Sequence, residues 1–349
     1  MSCPRKQKSS DTINSMPTYL VTGCAGFIGS WIAQTLVERG ATVRGLDNFE
    51  TGRRDNIAHL MDEWGDEGES PRKNGTSGGF AFIEADLRDA EATARACQGV
   101  DFIFHQAALP SVPRSIKDPR SSHTANIDGT FNLLEGARAG GAKRIVYAAS
   151  SSAYGNQPGF PRVETMFPMP IAPYPVQKLM GEFYMKSYWQ VYGIETVCLR
   201  YFNIFGPRQV PDSPYSGVMA KFTLQMMRGE RPTILGDGEQ GRDFTYVENA
   251  VSANLLAMEA PAPKIAGRVF NVAGGERHTL NETYRVLADL LDFKELAIYG
   301  PPRAGDIQNS LADISAAREA FGYEPKVSFE EGLRRTVAWY RENCSPTSL

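Results

Sequence analysis

From Thr18 onward the chain alternates short, nearly uninterrupted apolar runs with longer stretches whose apolar residues recur at helical spacing. The runs are Tyr19-Leu20-Val21, Thr42-Val43-Arg44-Gly45-Leu46, Phe80-Ala81-Phe82-Ile83, Phe102-Ile103-Phe104, Arg144-Ile145-Val146-Tyr147 and Glu195-Thr196-Val197-Cys198-Leu199, and a helix over Phe27 to Glu38 follows the first. Strands and helices in this alternation predict an α/β fold, a doubly wound parallel sheet covered by helices on both faces. The stretch from Trp64 to Gly79, rich in Gly, Ser, Glu, Lys and Asn, breaks the rhythm and reads as a surface insertion before the third strand. After Gly206-Pro207 the pattern loosens, with Pro, Gly and charged turns separating a helix around Val218 to Met227, a strand at Val269-Phe270 and terminal helices. The organisation expected is a polar extension over 1–17, a sheet domain over 18–205 and a smaller C-terminal α/β lobe mainly over 206–349, from which the chain can cross back to the sheet.

Composition narrows the class. A chain of 349 residues buries a full core without disulfides or structural metal. Its 37 basic and 40 acidic side chains leave a net charge of −3 with no basic stripe, so no nucleic-acid partner is expected. Five scattered cysteines, Cys3, Cys24, Cys97, Cys198 and Cys344, form no CxxC pair and have no His at ligand spacing, which argues for reduced thiols in the cytoplasm and no metal. Met1 to Pro17 is polar with no apolar h-region, and no uncharged run has membrane length, so neither export nor membrane insertion is expected.

The first strand ends in Gly23-Cys24-Ala25-Gly26-Phe27-Ile28-Gly29, glycines spaced GxxGxxG at the opening of a helix. Such a turn lets backbone N–H groups reach a pyrophosphate over the positive end of a helix, although a tight strand-to-helix turn alone would ask for the same glycines. Asp47, closing the second strand, stands about where a carboxylate accepts ribose hydroxyls and repels a 2′-phosphate, so NAD is favoured over NADP, with Arg53 and Arg54 as the reservation. Asp86-Leu87, just past the third strand, is placed either to meet the adenine edge or to cap the helix that follows.

Farther on, Tyr174-Pro175-Val176-Gln177-Lys178 sets Tyr and Lys at i, i+4 on one helix face, with Pro175 in the first turn. A free phenol has a pKa of about 10, and an ammonium and a positive nicotinamide ring both favour phenolate, which makes Tyr174 a base near neutral pH. Alone, this pair also fits an exposed amphipathic helix. It follows a strand ending in Ala149-Ser150-Ser151-Ser152-Ala153-Tyr154-Gly155.

The ordered set GxxGFIG, Asp47-Asn48-Phe49-Glu50-Thr51-Gly52, Asp86-Leu87-Arg88-Asp89, His105-Gln106-Ala107-Ala108 and the Tyr174/Lys178 pair resembles the extended short-chain dehydrogenase/reductases that act on nucleotide sugars, over roughly Thr18 to Tyr340. The resemblance implies a Rossmann-type NAD domain, with NAD tightly bound by Gly23, Gly26, Phe27, Ile28, Gly29, Asp47, Asn48, Thr51, Gly52, Asp86, Leu87, Gln106, Ala107, Ala108, Asn126, Tyr174, Lys178, Tyr201 and Phe202. It places Asn126 on the helix behind the active centre and makes His105 a packed strand-end residue. Tyr174, Lys178, Ser150 and Ser151 are the implied catalytic groups, with Lys178 also on the nicotinamide ribose.

On the same resemblance, Arg200-Tyr201-Phe202-Asn203-Ile204-Phe205-Gly206-Pro207-Arg208 supplies an aromatic for nicotinamide and Asn203 for a diphosphate. Arg242 and Arg303 clamp the diphosphate, where guanidinium forks match phosphate oxygens, and Asp306 faces the ribose. Ser111, Ser150, Ser151, Ser152 and Tyr174 surround the sugar, and Ser310 is the gatekeeper at its C2 substituent, small enough for an acetamido group. Dehydratases and decarboxylases of the family carry an acid where Ser151 and Ser152 stand. The reaction implied is therefore 4-epimerisation of a UDP-hexose, UDP-GlcNAc or UDP-glucose first. UDP-glucuronate remains an alternative, against which Asn203, where uronate epimerases often carry Thr, argues modestly, while Gln209-Val210-Pro211-Asp212-Ser213 is compatible with it. A dehydratase or decarboxylase, or a non-catalytic dinucleotide sensor, is disfavoured by the serines and by the intact Tyr/Lys pair. A homodimer is implied through a four-helix bundle of the helix near Asn126 to Ala139 and the helix beginning at Pro175.

Overall fold

In the computed structural model of the chain, residues 17–64, 78–210, 217–302 and 309–344 are described. The extension before Pro17 with Cys3, most of the Trp64 to Gly79 insertion, Pro211-Asp212-Ser213, and the segment holding Arg303 and Asp306 lie outside the described residues.

Six strands stand where the apolar runs predict them: β1 (Thr18–Thr22), β2 (Thr42–Asp47), β3 (Gly79–Glu84), β4 (Phe102–His105), β5 (Arg144–Ser150) and β6 (Glu195–Tyr201). Successive side chains of a strand face opposite sides. Leu20, Ile103 and Ile145 accordingly enter one core with Leu133, Leu134 and Met185, while Val21, Phe104 and Val146 enter the other with Ile32, Ala33 and Ala250. The first core is closed by helices Ala90–Cys97, Gly129–Gly140 and Pro173–Tyr192, the second by helices Phe27–Glu38 and Val247–Glu259. Each large side chain withdrawn from water contributes roughly 1.5–3 kcal/mol, so two-sided burial, rather than the weak preferences of such short strands, holds the sheet.

The remaining strands are β7 (Ile204–Phe205), β8 (Thr233–Leu235), β9 (Gly241–Asp243), β10 (Thr245–Tyr246), β11 (Arg268–Val272), β12 (Arg277–Thr279) and β13 (Ile298–Gly300). β11 returns to the large sheet parallel to β6, giving the order β11-β6-β5-β4-β1-β2-β3 with all pairings parallel. The others form two-stranded pairs, β7 with β10, β9 with β12 and β8 with β13. Strand order reverses at β1, whose Thr22 stands opposite Leu46 on one side and His105 on the other. Such a switch point opens a crevice at the carboxyl ends of the strands.

Cys24, Cys97, Cys198 and Cys344 are buried free thiols. Among the described residues no helix is long and apolar enough to cross a membrane, and no group of His, Cys, Asp and Glu is arranged to hold a metal.

Candidate active site

The glycine turn sits at that switch point. Gly23 has φ +70°, and a Cβ there would lie 2.7 Å from the main-chain nitrogen of Ala107; one on Gly29 would lie 2.1 Å from the carbonyl oxygen of Gly23. Packing alone therefore demands both glycines. Helix Phe27–Glu38 begins at Gly26 with no side chain capping its first N–H groups, which leaves donors and the positive helix end turned to the crevice. The Asp47–Arg53 loop folds back over the turn: Asp47 accepts from Ala25 N (3.0 Å) and Phe49 N (2.8 Å), and Arg53 N donates to Ala25 O (2.9 Å). Burial raises the Asp47 carboxyl against these donors, and its second lone pairs remain for ribose hydroxyls. Arg54 pairs with Glu84 and lies over Phe49, and Arg53 stands 3.9 Å from Asp55. The donor set fits NAD.

Asp86 proves not to be a helix cap; Asp89 caps Ala90–Cys97 through Ala92 N. Asp86 instead accepts from Asn48 Nδ2 (2.6 Å) and from the Arg88 backbone and guanidinium, and these donors hold its carboxyl down at about 2. Leu87 is buried, and its carbonyl accepts from Asn132. Thr51 and Gly52 lie on the fold-back loop, where a Cβ on Gly52 would crowd Asp47 Oδ1 at 2.9 Å. Ala107 N donates to Thr22 Oγ1, whose hydroxyl in turn bonds His105 Nδ1 at 2.8 Å; His105 Nε2 meets Thr130 Oγ1 at 2.9 Å, and Thr130 donates to Asn126 O. Because Thr130 gives its only proton to a carbonyl, the imidazole carries its hydrogen on Nε2. Full burial lowers His105 to about 3, so it is a neutral packed residue.

Asn126 lies in a π-helical turn, Thr124–Asp128, a geometry frequent at functional sites. Its amide is wholly engaged by protein: Oδ1 accepts from Leu109 N (2.8 Å), and Nδ2 donates to Leu109 O and to Gln177 Oε1 (2.8 Å) on the tyrosine helix. Gln106 bonds Asn254 and Tyr201, and Phe202 is buried against Tyr154.

Tyr174 stands in the first turn of helix Pro173–Tyr192, and Ser150, the last residue of β5, hydrogen bonds its phenol. Burial pushes the phenol up to about 12 against that bond. Lys178 is on the same helix face, but its Nζ donates to Ala148 O at 2.9 Å and lies 4.9 Å from the Tyr147 ring centre; burial lowers it to about 8. At Tyr174 the Ser150 hydroxyl opposes burial. Ser150 Oγ also bonds Ser152 Oγ at 2.7 Å.

A cavity of about 220 Å³ opens beside these serines, lined by Ser150, Ser151, Ser152, Tyr201, Phe202, Asn203, Arg242 and Ser310, together with Tyr154, Gly155, Arg162 and Asn309. A second, of about 360 Å³, lies beyond it among Ile204, Gln209, Val218, Phe222, Leu235 and Phe244, and Asn203 and Arg242 line both. Ser111 caps helix Val112–Lys117 through Arg114 N. Sequence reasoning missed Arg162, Tyr154 and Asn309 on the cavity wall, Asn254 behind Tyr201, and Asp243 beneath Asn203, whose Nδ2 donates to Asp243 O at 2.8 Å. Asp243 itself is fully buried, accepting from Gly274, Gly275 and Ala312 N–H groups, and burial raises it to about 7.

A glycine turn at a switch point, with a tyrosine and lysine on a helix across the same crevice, defines a dinucleotide-dependent α/β enzyme. Residues 19–273 match the NAD dependent epimerase/dehydratase family, and the chain belongs to it. Its fold is similar to UDP-glucose 4-epimerase of Thermotoga maritima with UDP-glucose (TM-score 0.84, 36% identity, 94% of this chain and 100% of that one). It is equally similar to UDP-N-acetylglucosamine 4-epimerase of Methanobrevibacter ruminantium in complex with UDP-N-acetylmuramic acid (TM-score 0.84, 36% identity, 94% and 99%). The UDP-glucuronic acid 4-epimerase of Bacillus cereus, solved with UDP-glucuronic acid and NAD, is also similar (TM-score 0.82, 31% identity, 93% and 99%). The protein is thus an NAD-dependent enzyme of the epimerase class.

Proposed function

We propose that the protein is a UDP-hexose 4-epimerase, and the observation that carries this reading is a cavity free of carboxylates beside Ser150, the hydroxyl that meets Tyr174. Among the described residues no carboxylate lines the sugar cavity, and the side chain that hydrogen bonds the phenol is a hydroxyl, Ser150. Eliminating water needs an acid beside the sugar, whereas epimerisation needs only a group that takes and returns the O4 proton. Bound NAD supplies the acceptor, and afterwards the donor, of the C4 hydride. Tyr174 takes the O4 proton as C4 is oxidised and gives it back when the 4-keto sugar is reduced on its other face. Ser150 orients the phenol, and the Ser150–Ser152 pair offers a hydroxyl to the same sugar oxygen. The crevice residues from Gly23 to Gly29, Asp47, Asp86 and Gln106 would hold the dinucleotide, with Lys178 at its ribose.

Asn203 and Arg242, shared by both cavities, suit a diphosphate bridging a hexose and a nucleoside, a role in which Arg303 and Asp306 would join. Ser310 leaves room at C2 for an acetamido group, so UDP-GlcNAc is accepted along with UDP-glucose. A homodimer is part of the proposal: Phe131 on helix Gly129–Gly140 and Met180, Phe183, Val191 and Tyr192 on helix Pro173–Tyr192 are exposed, an apolar surface suited to a four-helix bundle. Sedimentation of Phe183→Glu against the parent tests it; a monomeric parent sinks it.

The activity test is incubation of the purified protein, without added NAD, with UDP-GlcNAc, UDP-glucose and UDP-glucuronate separately, resolving products by NMR of the anomeric and H4 protons. The C4 epimer is expected. Release of CO₂ or of a 4-keto-6-deoxy sugar would overturn the reading.

A further inference from the structure

Three arginines among the described residues are nearly excluded from solvent: Arg144 (7% exposed), Arg162 (4%) and Arg200 (3%). Burying a guanidinium is costly unless an anion accompanies it. Arg144 has Glu195 at 2.5 Å and Arg200 has Glu182 at 2.7 Å. Among the described residues Arg162 has no acid. Its NH1 reaches only the carbonyl of Pro158, at 3.4 Å, and its guanidinium lies over the ring of Phe160.

The main chain of Arg162 is fixed on both sides, its N–H donating to Leu311 O and its carbonyl accepting from Asp313 N, so the residue is locked beside the segment that carries Asn309 and Ser310. It lines the sugar cavity, whose other polar walls are the serines, Asn203, Asn309 and Ser310, all neutral, and Arg242. Arg242 also lines the second cavity, where a diphosphate handle would lie. The sugar cavity therefore holds one cation more than the handle requires. Burial lowers the affinity of Arg162 for its proton, and among the described residues the Tyr154 phenol, not a carboxylate, is the titratable group that offsets this.

We infer that Arg162 is a specificity residue that pairs with an anionic substituent on the hexose, so that a UDP-hexose bearing a carboxylate is preferred to its neutral counterpart. The inference rests on the epimerase reading and narrows it. Two kinds of sugar present that chemistry: a uronate, with the carboxylate at C6, and a 3-O-lactyl hexosamine, with it on an ether at C3. The guanidinium fork suits either, since it offers paired donors to two carboxylate oxygens.

The test separates binding from turnover. In the holoenzyme carrying Tyr174→Phe, calorimetry would compare UDP-glucose, UDP-GlcNAc, UDP-glucuronate and UDP-N-acetylmuramate, with UDP alone as the handle control. One acidic sugar is expected to bind roughly ten- to a hundredfold more tightly than its neutral counterpart, as a charge-assisted hydrogen bond would give. Adding Arg162→Met should erase that ratio while affinity for UDP changes little; Arg162→Lys, keeping the charge without the fork, should restore part of it. Which acidic sugar wins identifies the source of the carboxylate. Equal affinity for acidic and neutral sugars, or an equal loss for all of them in Arg162→Met, overturns the inference. Turnover in the Tyr174 parent is read separately: absence of any C4 epimer defeats the epimerase reading, while the binding ratio still decides the role of Arg162.

Discussion

The main-chain N–H of Tyr174 donates to Oγ of Ser115 at 3.1 Å, joining helix Val112–Lys117 to the first turn of helix Pro173–Tyr192. That turn begins at Ala172, which has no side chain to cap it, and Pro173 and Pro175 have no N–H to satisfy. Tyr174 is thus the residue whose donor needs a partner, and Ser115, buried and itself held by Val112 O at 2.8 Å, supplies it from another helix. Ser115→Ala should lower stability by about 1 kcal/mol and depress kcat more than it raises KM, because what loosens is the placement of the base. Denaturant unfolding and steady-state kinetics check it; an unaltered kcat would show that the phenol is positioned by Ser150 alone.

Tyr174 itself carries a second prediction. With burial holding the phenol at about 12, the protein free of dinucleotide keeps Tyr174 protonated at neutral pH. A positive ring nearby favours phenolate and must lower that value. Ultraviolet difference titration of the parent against Tyr174→Phe should show one tyrosine moving to lower pH when NAD is bound, and moving less with NADH. Tyr174→Phe should reduce kcat by about 10²–10⁴-fold.

Asp243 gives a pH-dependent stability. Its folded pKa, about 7, lies above the ordinary 3.8, with burial as the cause. Between those values the folded chain keeps a proton that the unfolded chain has released. Stability therefore falls as pH rises through that window and levels off above about 7, by at most about 4 kcal/mol from this group. Asp243→Asn should flatten the decline in Tm between pH 5 and 8, and a variant with the parent's slope would assign the effect elsewhere.

The buried Glu182–Arg200 pair sits one turn beyond Lys178, with the guanidinium 4.6 Å from the Tyr154 ring centre. Glu182→Gln leaves that cation unneutralised and should cost about 3–5 kcal/mol, whereas the double change Glu182→Met with Arg200→Met should recover most of it. Chemical denaturation of the three proteins reads both numbers.

Ser310 offers a steric prediction. A tyrosine in its place would project into the sugar cavity, so Ser310→Tyr should reduce kcat/KM for UDP-GlcNAc far more than for UDP-glucose, and a parallel loss on both would deny Ser310 a place near C2.

What could be read from the sequence was local. β1 to β6 follow from apolar runs, and the glycine turn and the Tyr174/Lys178 helix follow from spacings of a few residues. Asp47 closes β2 as the spacing predicts, and its carboxylate accepts from Ala25 N of the glycine turn. Less was legible where partners are distant in sequence. Val269-Phe270 reads as a strand, but nothing local shows that β11 joins the edge of the large sheet beside β6. Asn254 reaches Gln106 across 148 residues, and Asp243 meets Ala312 across 69. Arg162 is an ordinary charge in the sequence and acquires meaning only through its burial. Lys178 shows the limit of helical spacing: i, i+4 sets a shared face, but the partner of the ammonium was decided by a carbonyl of the neighbouring strand.

Asn203 and Arg242 form one partition facing two rooms. A molecule gripped there by its middle can release its reacting end completely without leaving the protein. For a reaction that must show both faces of one carbon to the same reagent, the ring has to come loose from Ser150 and Tyr174, turn over and settle again. Held at the partition, it makes that turn as an intramolecular rotation at high effective concentration, in place of departure and return through solvent. Grip and chemistry are thereby assigned to different walls, and the tether is supplied by the handle, not by the ring. A free hexose, lacking the gripped portion, would be a poor substrate however well its ring fits.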